Sequence, residues 1–249
     1  MVTRVGLIGF GRAGQAVARV LGADPRFALS WVARRHASEA WAETDGVRVP
    51  LMGLDHTPLA DWLDRHPVDA LVDFSRPDAL WVYGDLVRER GLSLVSAISN
   101  YGEDDLSYLR SLGECARVMA SPNITLGINF LILASRLLHT IAPFADVEIV
   151  EQHFREKPDA SGTARKIAQT LEVDAEHITS LRLGGIVGHH EVIFGFPHQT
   201  VRLIHDSIRR EAFGTGAAFA LSELVAQAPG FYTYEDLLMR KARAEILRS

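Results

Sequence analysis

The sequence predicts an α/β protein in two parts. A parallel-sheet unit with helices on both faces comes first, followed by a smaller α+β unit with a mixed or antiparallel sheet. Three observations predict this. Short apolar runs alternate with helical stretches as far as about Pro122, and βαβα alternation implies a parallel sheet. The first alternation contains Gly9-Phe10-Gly11-Arg12-Ala13-Gly14 between an apolar run and a helical pattern. After Pro122 the chain reads as a long amphipathic helix, a strand, a helix and three strand-like runs joined through Gly and Pro turns. That succession suits antiparallel or mixed pairing.

Arg4 to Ile8 is the first strand, and a helical pattern follows through Val17, Val20 and Leu21. In a glycine-rich turn between them, the first glycine permits the tight bend and the second lets a pyrophosphate approach the backbone. The third lets helix and strand pack closely. This context marks a Rossmann-like dinucleotide-binding domain, with Gly9, Phe10, Gly11, Arg12, Ala13 and Gly14 as cofactor contacts. The alternative is a tight strand-to-helix turn with no ligand. The second strand, Phe27 to Ala33, ends in Arg34-Arg35, and the first acid downstream is Glu39. An NAD site usually carries Asp or Glu at this point, whereas arginine accommodates a 2′-phosphate. Arg34 and Arg35 therefore favour NADPH, gripped bidentately, with NADH as the other available donor. Read blandly, the two are a solvated basic pair.

Val68 to Phe74 is a strand, Pro77 to Arg90 a helix with proline in its first turn, and Leu92 to Ala97 a strand. Glu103 to Gly113 is helical, and Arg117 to Ala120 is a strand. Ligands of open α/β sheets bind beyond the carboxyl ends of strands. Ala97-Ile98-Ser99-Asn100 and Ser121-Pro122-Asn123-Ile124 both fall there, placed to line a nicotinamide pocket or to serve as ordinary turns.

Leu126 to Ile141 is the long amphipathic helix. An alternating run with Val147 and Ile149 then delivers His153; Lys157 follows, and Ser161-Gly162-Thr163 opens a helix from Ala164 to Leu171. A helix N-terminus exposes unpaired N–H groups and the positive end of the macrodipole, so it suits an anion. Histidine is the side chain whose ordinary pKa lies near neutrality. Proton donor, cation and anion cradle thus lie close together in the chain, as a site for a small carboxylate needs. The alternative is a strand-to-helix turn with Ser161 as N-cap and a solvated Lys157. Ile178 to Val187, Glu191 to Phe196 and Thr200 to Ser207 read as strands. A helix runs from Glu211 to Gln227, ended by Pro229-Gly230.

The chain has 249 residues, 47% of them hydrophobic, and a net charge of −5. This is a soluble globular composition, long enough for two modest domains. No apolar run approaches the ~18 residues of a membrane span, and an opening strand with a glycine turn is not a secretory leader. No membrane association is expected. A single cysteine, Cys115, cannot form an internal disulfide and suits a reducing cytoplasm. Mild acidity, with basic clusters limited to pairs (Arg34-Arg35, Arg209-Arg210, Arg240-Lys241), argues against nucleic-acid binding. His189-His190-Glu191 lacks the helical spacing of a zinc-protease motif and there is no cysteine cluster, so no metal is expected. The remaining histidines read as structural, and Trp31, Trp41, Trp62 and Trp81 as core or interface.

Taken in order, these motifs resemble the 4-hydroxy-tetrahydrodipicolinate reductase family, the dihydrodipicolinate reductases of lysine and diaminopimelate synthesis. Gly9 to Gly14 and Val72-Asp73-Phe74-Ser75-Arg76-Pro77 resemble its nucleotide-domain signatures. Ser121 to Asn129 resembles the segment that crosses between its domains, and Glu148 to Thr163 its active-site signature. Gly184 to Gly188, His205, Arg210, Phe213, Gly216-Ala217, Gly230 to Tyr232 and Glu235 to Leu238 follow at family-like spacing. The resemblance implies a dinucleotide-binding domain from residues 1–122 plus 211–249. It also implies a substrate-binding and oligomerisation domain over 123–210, in a homotetramer or homodimer. It implies hydride transfer from NADPH to an unsaturated cyclic imine dicarboxylate. His153 would be the general acid, Lys157 the catalytic cation, and Ser161, Gly162 and Thr163 the carboxylate cradle. Gly9 to Gly14, Arg35, Ala97 to Ser99 and Ser121 to Ile124 would contact cofactor.

Three positions depart from the family pattern. Phe154 stands where a second histidine normally contacts substrate. A proline usually precedes the serine of the Ser-Gly-Thr turn, whereas this chain reads Lys157-Pro158-Asp159-Ala160-Ser161 and is one residue shorter. Ala97-Ile98-Ser99-Asn100 replaces Gly-Thr-Thr-Gly. Losing a buried hydrogen-bond partner can change the preferred substrate. A paralogous NADPH-dependent imine or enamine reductase acting on another small carboxylate is therefore the alternative. A non-catalytic dinucleotide-binding sensor is a third reading, disfavoured because His153 and Lys157 are both present.

Overall fold

The computed structural model describes residues 2–44 and 46–247. The chain divides into two compact units, Met1–Leu126 with Arg210–Ser249, and Gly127–Arg209. The first unit opens β1 (Thr3–Ile8), α1 (Arg12–Ala23), β2 (Phe27–Arg34), β3 (Trp41–Thr44), β4 (Val47–Gly53) and α2 (Leu59–Arg65). It continues β5 (Ala70–Asp73), α3 (Pro77–Arg90), β6 (Ser93–Ser96), α4 (Glu103–Leu112) and β7 (Arg117–Ala120). Helix α5 (Leu126–Ile141) leads into β8 (Asp146–His153), α6 (Gly162–Leu171), β9 (Ile178–Arg182), β10 (His189–Phe196) and β11 (Gln199–Asp206). The chain returns to the first unit through α7 (Glu211–Leu224), β12 (Gly230–Tyr232) and α8 (Tyr234–Ile246).

The large sheet runs β12-β7-β6-β5-β1-β2-β4-β3. All its pairings are parallel except β3 with β4. Val5, Leu7, Ile8, Leu71, Val72, Leu94 and Val95 are fully buried, as expected of central strands covered on both faces. From β1 the chain moves outward to β2 and β4, then crosses to β5 on the other side. The gap between β1 and β5 is therefore the topological switch point, where ligands of such sheets bind. At its rim Asp73 is fully buried. Its Oδ1 accepts from Ser75 N and Oγ, and its Oδ2 from the Tyr83 hydroxyl at 2.6 Å. Burial pushes this carboxyl up to about 6.

The second sheet runs β11-β10-β8-β9, parallel between β8 and β9 and antiparallel elsewhere. Along β8, Val147, Ile149, Glu151 and His153 alternate onto the buried face. Ile149 packs in a core with Ile128 and Leu131 of α5, Ile167 and Leu171 of α6, and Val192 and Phe194 of β10.

Several expectations are corrected. The run Ile178 to Val187 pairs only as far as Arg182, and Gly184 (φ +48°) turns the chain beyond it. Helix α7 ends at Leu224, before Gln227. The hairpin β3–β4, helix α2, strand β12 and helix α8 were not read from the sequence. Asp45-Gly46 was the local hairpin signal, obscured by Pro50 within β4. The signal for α8 was Thr233 with Asp236, which form a capping box. Trp31 is buried, its Nε1 donating to His66 O at 3.0 Å. Trp41 and Trp81 are exposed, and Trp81 stacks on Tyr108. Among the described residues no helix is long and apolar enough to cross a membrane, and no cluster of His, Cys, Asp or Glu could hold a metal ion.

Candidate active site

In the first unit the three glycines of the opening turn have separate structural reasons. Gly9 has φ +93°, and a Cβ there would lie 2.5 Å from the Phe74 carbonyl carbon, across the switch point. Gly14 has no room at all: its Cβ would fall 1.9 Å from the Gly9 carbonyl oxygen. Around Gly11, by contrast, no atom of the described residues beyond its chain neighbours would lie within 4 Å of a Cβ. The space is open to a ligand. Gly11 is the extended N-cap of α1, with no side chain capping it and no acid in the first turn. The N-terminal N–H groups therefore face no built-in anion, and the residues present fit a dinucleotide pyrophosphate.

The other proposed cofactor contacts also lie at the carboxyl edge of the large sheet. Ala97 N donates to Asp73 O, Ile98 is buried and Ser99 is exposed. Just beyond this loop, the Tyr101 hydroxyl meets Ser96 Oγ at 2.8 Å. Ser121 N donates to Ser96 O, and Ser121 Oγ donates to Asn123 O at 2.6 Å. Ile124 is buried against α7, where a Cβ at Gly216 would strike its carbonyl at 1.8 Å. Arg34 and Arg35 do reach the surface at the end of β2, but both are paired. Arg34 donates to Glu39, and Arg35 donates to Asp78 of α3. Such exposed pairs are worth only ~0–1 kcal/mol, so a phosphate can displace them. Sequence reasoning missed Asp78, which the β5–α3 crossover brings in, and the neighbouring His36 and His56, both against Asp55.

In the second unit, His153 stands at the end of β8 with 11% of its side chain exposed. Its Nδ1 lies 2.5 Å from Glu151 Oε2. The Nε2 face looks toward Gly188, whose absent Cβ would lie 3.2 Å from Nε2. Glu151 is fully buried. Burial alone would raise its carboxyl. Hydrogen bonds from Arg182, Ser180, His153 and the Ser161 N–H outweigh that and hold it at about 2. Cross-strand register puts His190 opposite Glu151. Its Nε2 meets Ser161 Oγ at 2.9 Å, and its ring stands edge-on to that of His153 at 5.3 Å. Burial, and next the neighbouring His153, push His190 down to about 4, so its ring is neutral near pH 7.

Ser161 is the N-cap of α6, its Oγ accepting from Thr163 N at 3.2 Å. The first turn of α6 holds no acid, and the Cβ position of Gly162 is open. A helix N-terminus of this kind suits an anion. Lys157 is half-buried and has no carboxylate partner among the described residues. Its carbonyl accepts from Arg182 Nε at 3.0 Å, which ties the lysine loop to β9. Phe154 is exposed. Sequence reasoning placed His153, Lys157 and the 161–163 turn but missed Glu151, Ser180, Arg182 and His190. Glu151 was legible, because residues two apart on an alternating strand share a face. His190 and Arg182 needed the pairing of β8 with its neighbours and had no local signal.

A Rossmann-type sheet with a glycine-rich opening turn in the first unit, and a histidine, a lysine and an acid-free helix N-terminus in the second, are the features of an NAD(P)H-dependent oxidoreductase. Profiles described as Dihydrodipicolinate reductase, N-terminus and C-terminus match residues 3–124 and 124–238. The chain belongs to the dihydrodipicolinate reductase family. It is 31% identical to a 4-hydroxy-tetrahydrodipicolinate reductase of Caldanaerobacter subterraneus subsp. tengcongensis, over 92% of this chain and 95% of the relative. It is 33% identical to one of Stenotrophomonas maltophilia, over 92% and 94%. The fold matches a dipicolinate-bound dihydrodipicolinate reductase from Paenisporosarcina sp. TG-14 with TM-score 0.79 and 23% identity, covering 94% of this chain and 98% of that one.

Proposed function

We propose that this chain reduces 4-hydroxy-tetrahydrodipicolinate, or the unsaturated cyclic imine dicarboxylate derived from it, with NADPH as donor. The observation that carries the reading is the second unit's constellation. His153 turns its Nε2 toward Gly188, and Lys157, with no carboxylate partner among the described residues, and the acid-free N-terminus of α6 follow it in the chain. When bound, a nicotinamide cofactor would supply the hydride. His153 gives a proton to the carbon beside the one that accepts it. Lys157 and the N-terminal end of α6 at Gly162 hold the carboxylate as charge redistributes. Gly9 to Gly14 receive the pyrophosphate, Arg34 and Arg35 the 2′-phosphate, and the 97–99 and 121–124 loops the nicotinamide half.

Phe154 favours a second reading, a reductase for a related small carboxylate, because an exposed ring stands where the family carries a polar contact. One assay separates the two. Purified protein is given NADPH and the aldolase-derived dihydrodipicolinate precursor, and NADPH oxidation is followed. Turnover supports the first reading; tight NADPH binding without turnover removes it in favour of the second. For the cofactor, the Arg34→Ala/Arg35→Ala double variant is expected to weaken NADPH by about tenfold or more, from lost charge-assisted hydrogen bonds, and NADH far less. Titration with both nucleotides reads this, and equal losses would remove the 2′-phosphate assignment.

A further inference from the structure

This inference rests on the assignment of His153 as the acid. We propose that Glu151 is a positioning residue of the reaction, holding the His153 ring by Nδ1 so that Nε2, in the opening left by Gly188, is the nitrogen that delivers the proton. A carboxylate only accepts hydrogen bonds, so the 2.5 Å contact requires the proton on Nδ1. Nε2 then carries the transferable proton in the imidazolium. Giving it up leaves a neutral ring that keeps its Nδ1–H bond, and no ring flip is needed between turnovers.

Glu151 is itself held before it holds anything. Arg182 donates to both of its oxygens, Nη1 to Oε2 at 3.0 Å and Nη2 to Oε1 at 2.8 Å. Ser180 Oγ donates to Oε1 at 2.7 Å, and Ser161 N to Oε1 at 3.1 Å. Donors from β9 and from the start of α6 thus set the carboxylate plane, and the carboxylate sets the ring. Arg182 also donates to the carbonyls of Lys157 and Asp159, so one guanidinium couples the orientation of the acid to the loop that carries the cation. His190, edge-on to the ring, is occupied by Ser161 and does not compete for Glu151.

Gly188 supports the same assignment from the other side of the ring. Its φ is not in the left-handed region, so backbone conformation does not demand glycine there. What a side chain would meet is the ring itself, with Cβ 3.2 Å from Nε2 and 3.6 Å from Cδ2. The missing side chain keeps the approach to Nε2 clear.

The test compares wild type, Glu151→Gln and Gly188→Ala as full-length protein. Nitrogen NMR of the imidazoles, assigned with His153→Gln, reads the tautomer without relying on turnover. The neutral wild-type ring is expected to carry its proton on Nδ1, and Glu151→Gln to lose that preference. With NADPH bound, kcat of Glu151→Gln is expected to fall about a hundredfold. Its solvent deuterium isotope effect should rise, while the NADPH dissociation constant stays within about twofold, since no proposed cofactor contact touches Glu151. Gly188→Ala is expected to keep the Nδ1–H tautomer yet lose rate. If Glu151→Gln does not fold, Glu151→Gln/Arg182→Met, which removes both charges together, takes its place. An Nε2–H tautomer in the wild type, or a glutamine variant with unchanged tautomer and rate, overturns the proposal. A wild type inactive on every imine offered, but with the Nδ1–H tautomer, would instead count against the proposed function.

Discussion

His153→Ala is expected to lower kcat by about 10²–10⁴-fold, the range a positioned general acid contributes, with NADPH affinity unchanged within about twofold. The imidazole is the group at this site whose ordinary pKa allows it to give and regain a proton near neutrality. His190, its neighbour, is held neutral and turned to Ser161, so no second ring takes over. The carboxylate cradle at α6 and the Lys157 loop, tied through Arg182, do not depend on the His153 side chain. Substrate binding should therefore survive the loss. Steady-state kinetics with NADPH titration checks this; a variant that keeps its rate shows that the proton comes from elsewhere.

Gly14→Ala is expected to destabilise the first unit by about 4 kcal/mol, at the upper end for single substitutions. Its Cβ meets the Gly9 carbonyl oxygen at 1.9 Å, and both atoms belong to backbone that no rotamer change can move. Relief requires α1 to lift from β1, opening a core that includes Val17 and Leu21. Gly11→Ala is the contrast. Beyond its chain neighbours, no atom of the described residues lies within 4 Å of its Cβ, so the fold should tolerate it, with a change in melting temperature of only a degree or two, roughly what a few tenths of a kcal/mol produces. NADPH affinity should still fall by about tenfold or more, because the methyl occupies the pyrophosphate's approach. Thermal denaturation and nucleotide titration of both variants read the two effects apart. A stable Gly14→Ala protein would mean that the helix and strand are less tightly apposed than described; a Gly11→Ala protein that binds NADPH normally would remove the pyrophosphate assignment.

The legibility of this chain followed the range over which each feature is decided. Helices α3 and α5 and strand β7 lie at the bounds their periodicity predicts, because apolar spacing and an N1 proline act within a few residues. Strand β12 is three residues long and exists by pairing with β7, Gly230 against Arg117. Nothing in its own composition announces that partner. Arg34 and Arg35 lie at the end of β2, as the strand reading expects, yet Asp78 reaches Arg35 only because α3 follows the strand on the other side of β1.

The sequence by itself determined the α/β class, the bend at Gly9 and the close packing at Gly14, and the placing of His153, Lys157 and the Ser161–Thr163 turn in one short stretch of chain. These depend on side-chain period, backbone freedom and helix-end polarity, which are properties of contiguous residues. Only the tertiary structure decided that Glu151 is an ionised, fully buried carboxylate, that Arg182 and His190 flank it, and that Gly188 opens onto Nε2. A charge removed from water is tolerable only when several donors converge on it. Those donors come from strands and a helix end brought into register by the sheet, so their meeting is written in no single stretch of chain.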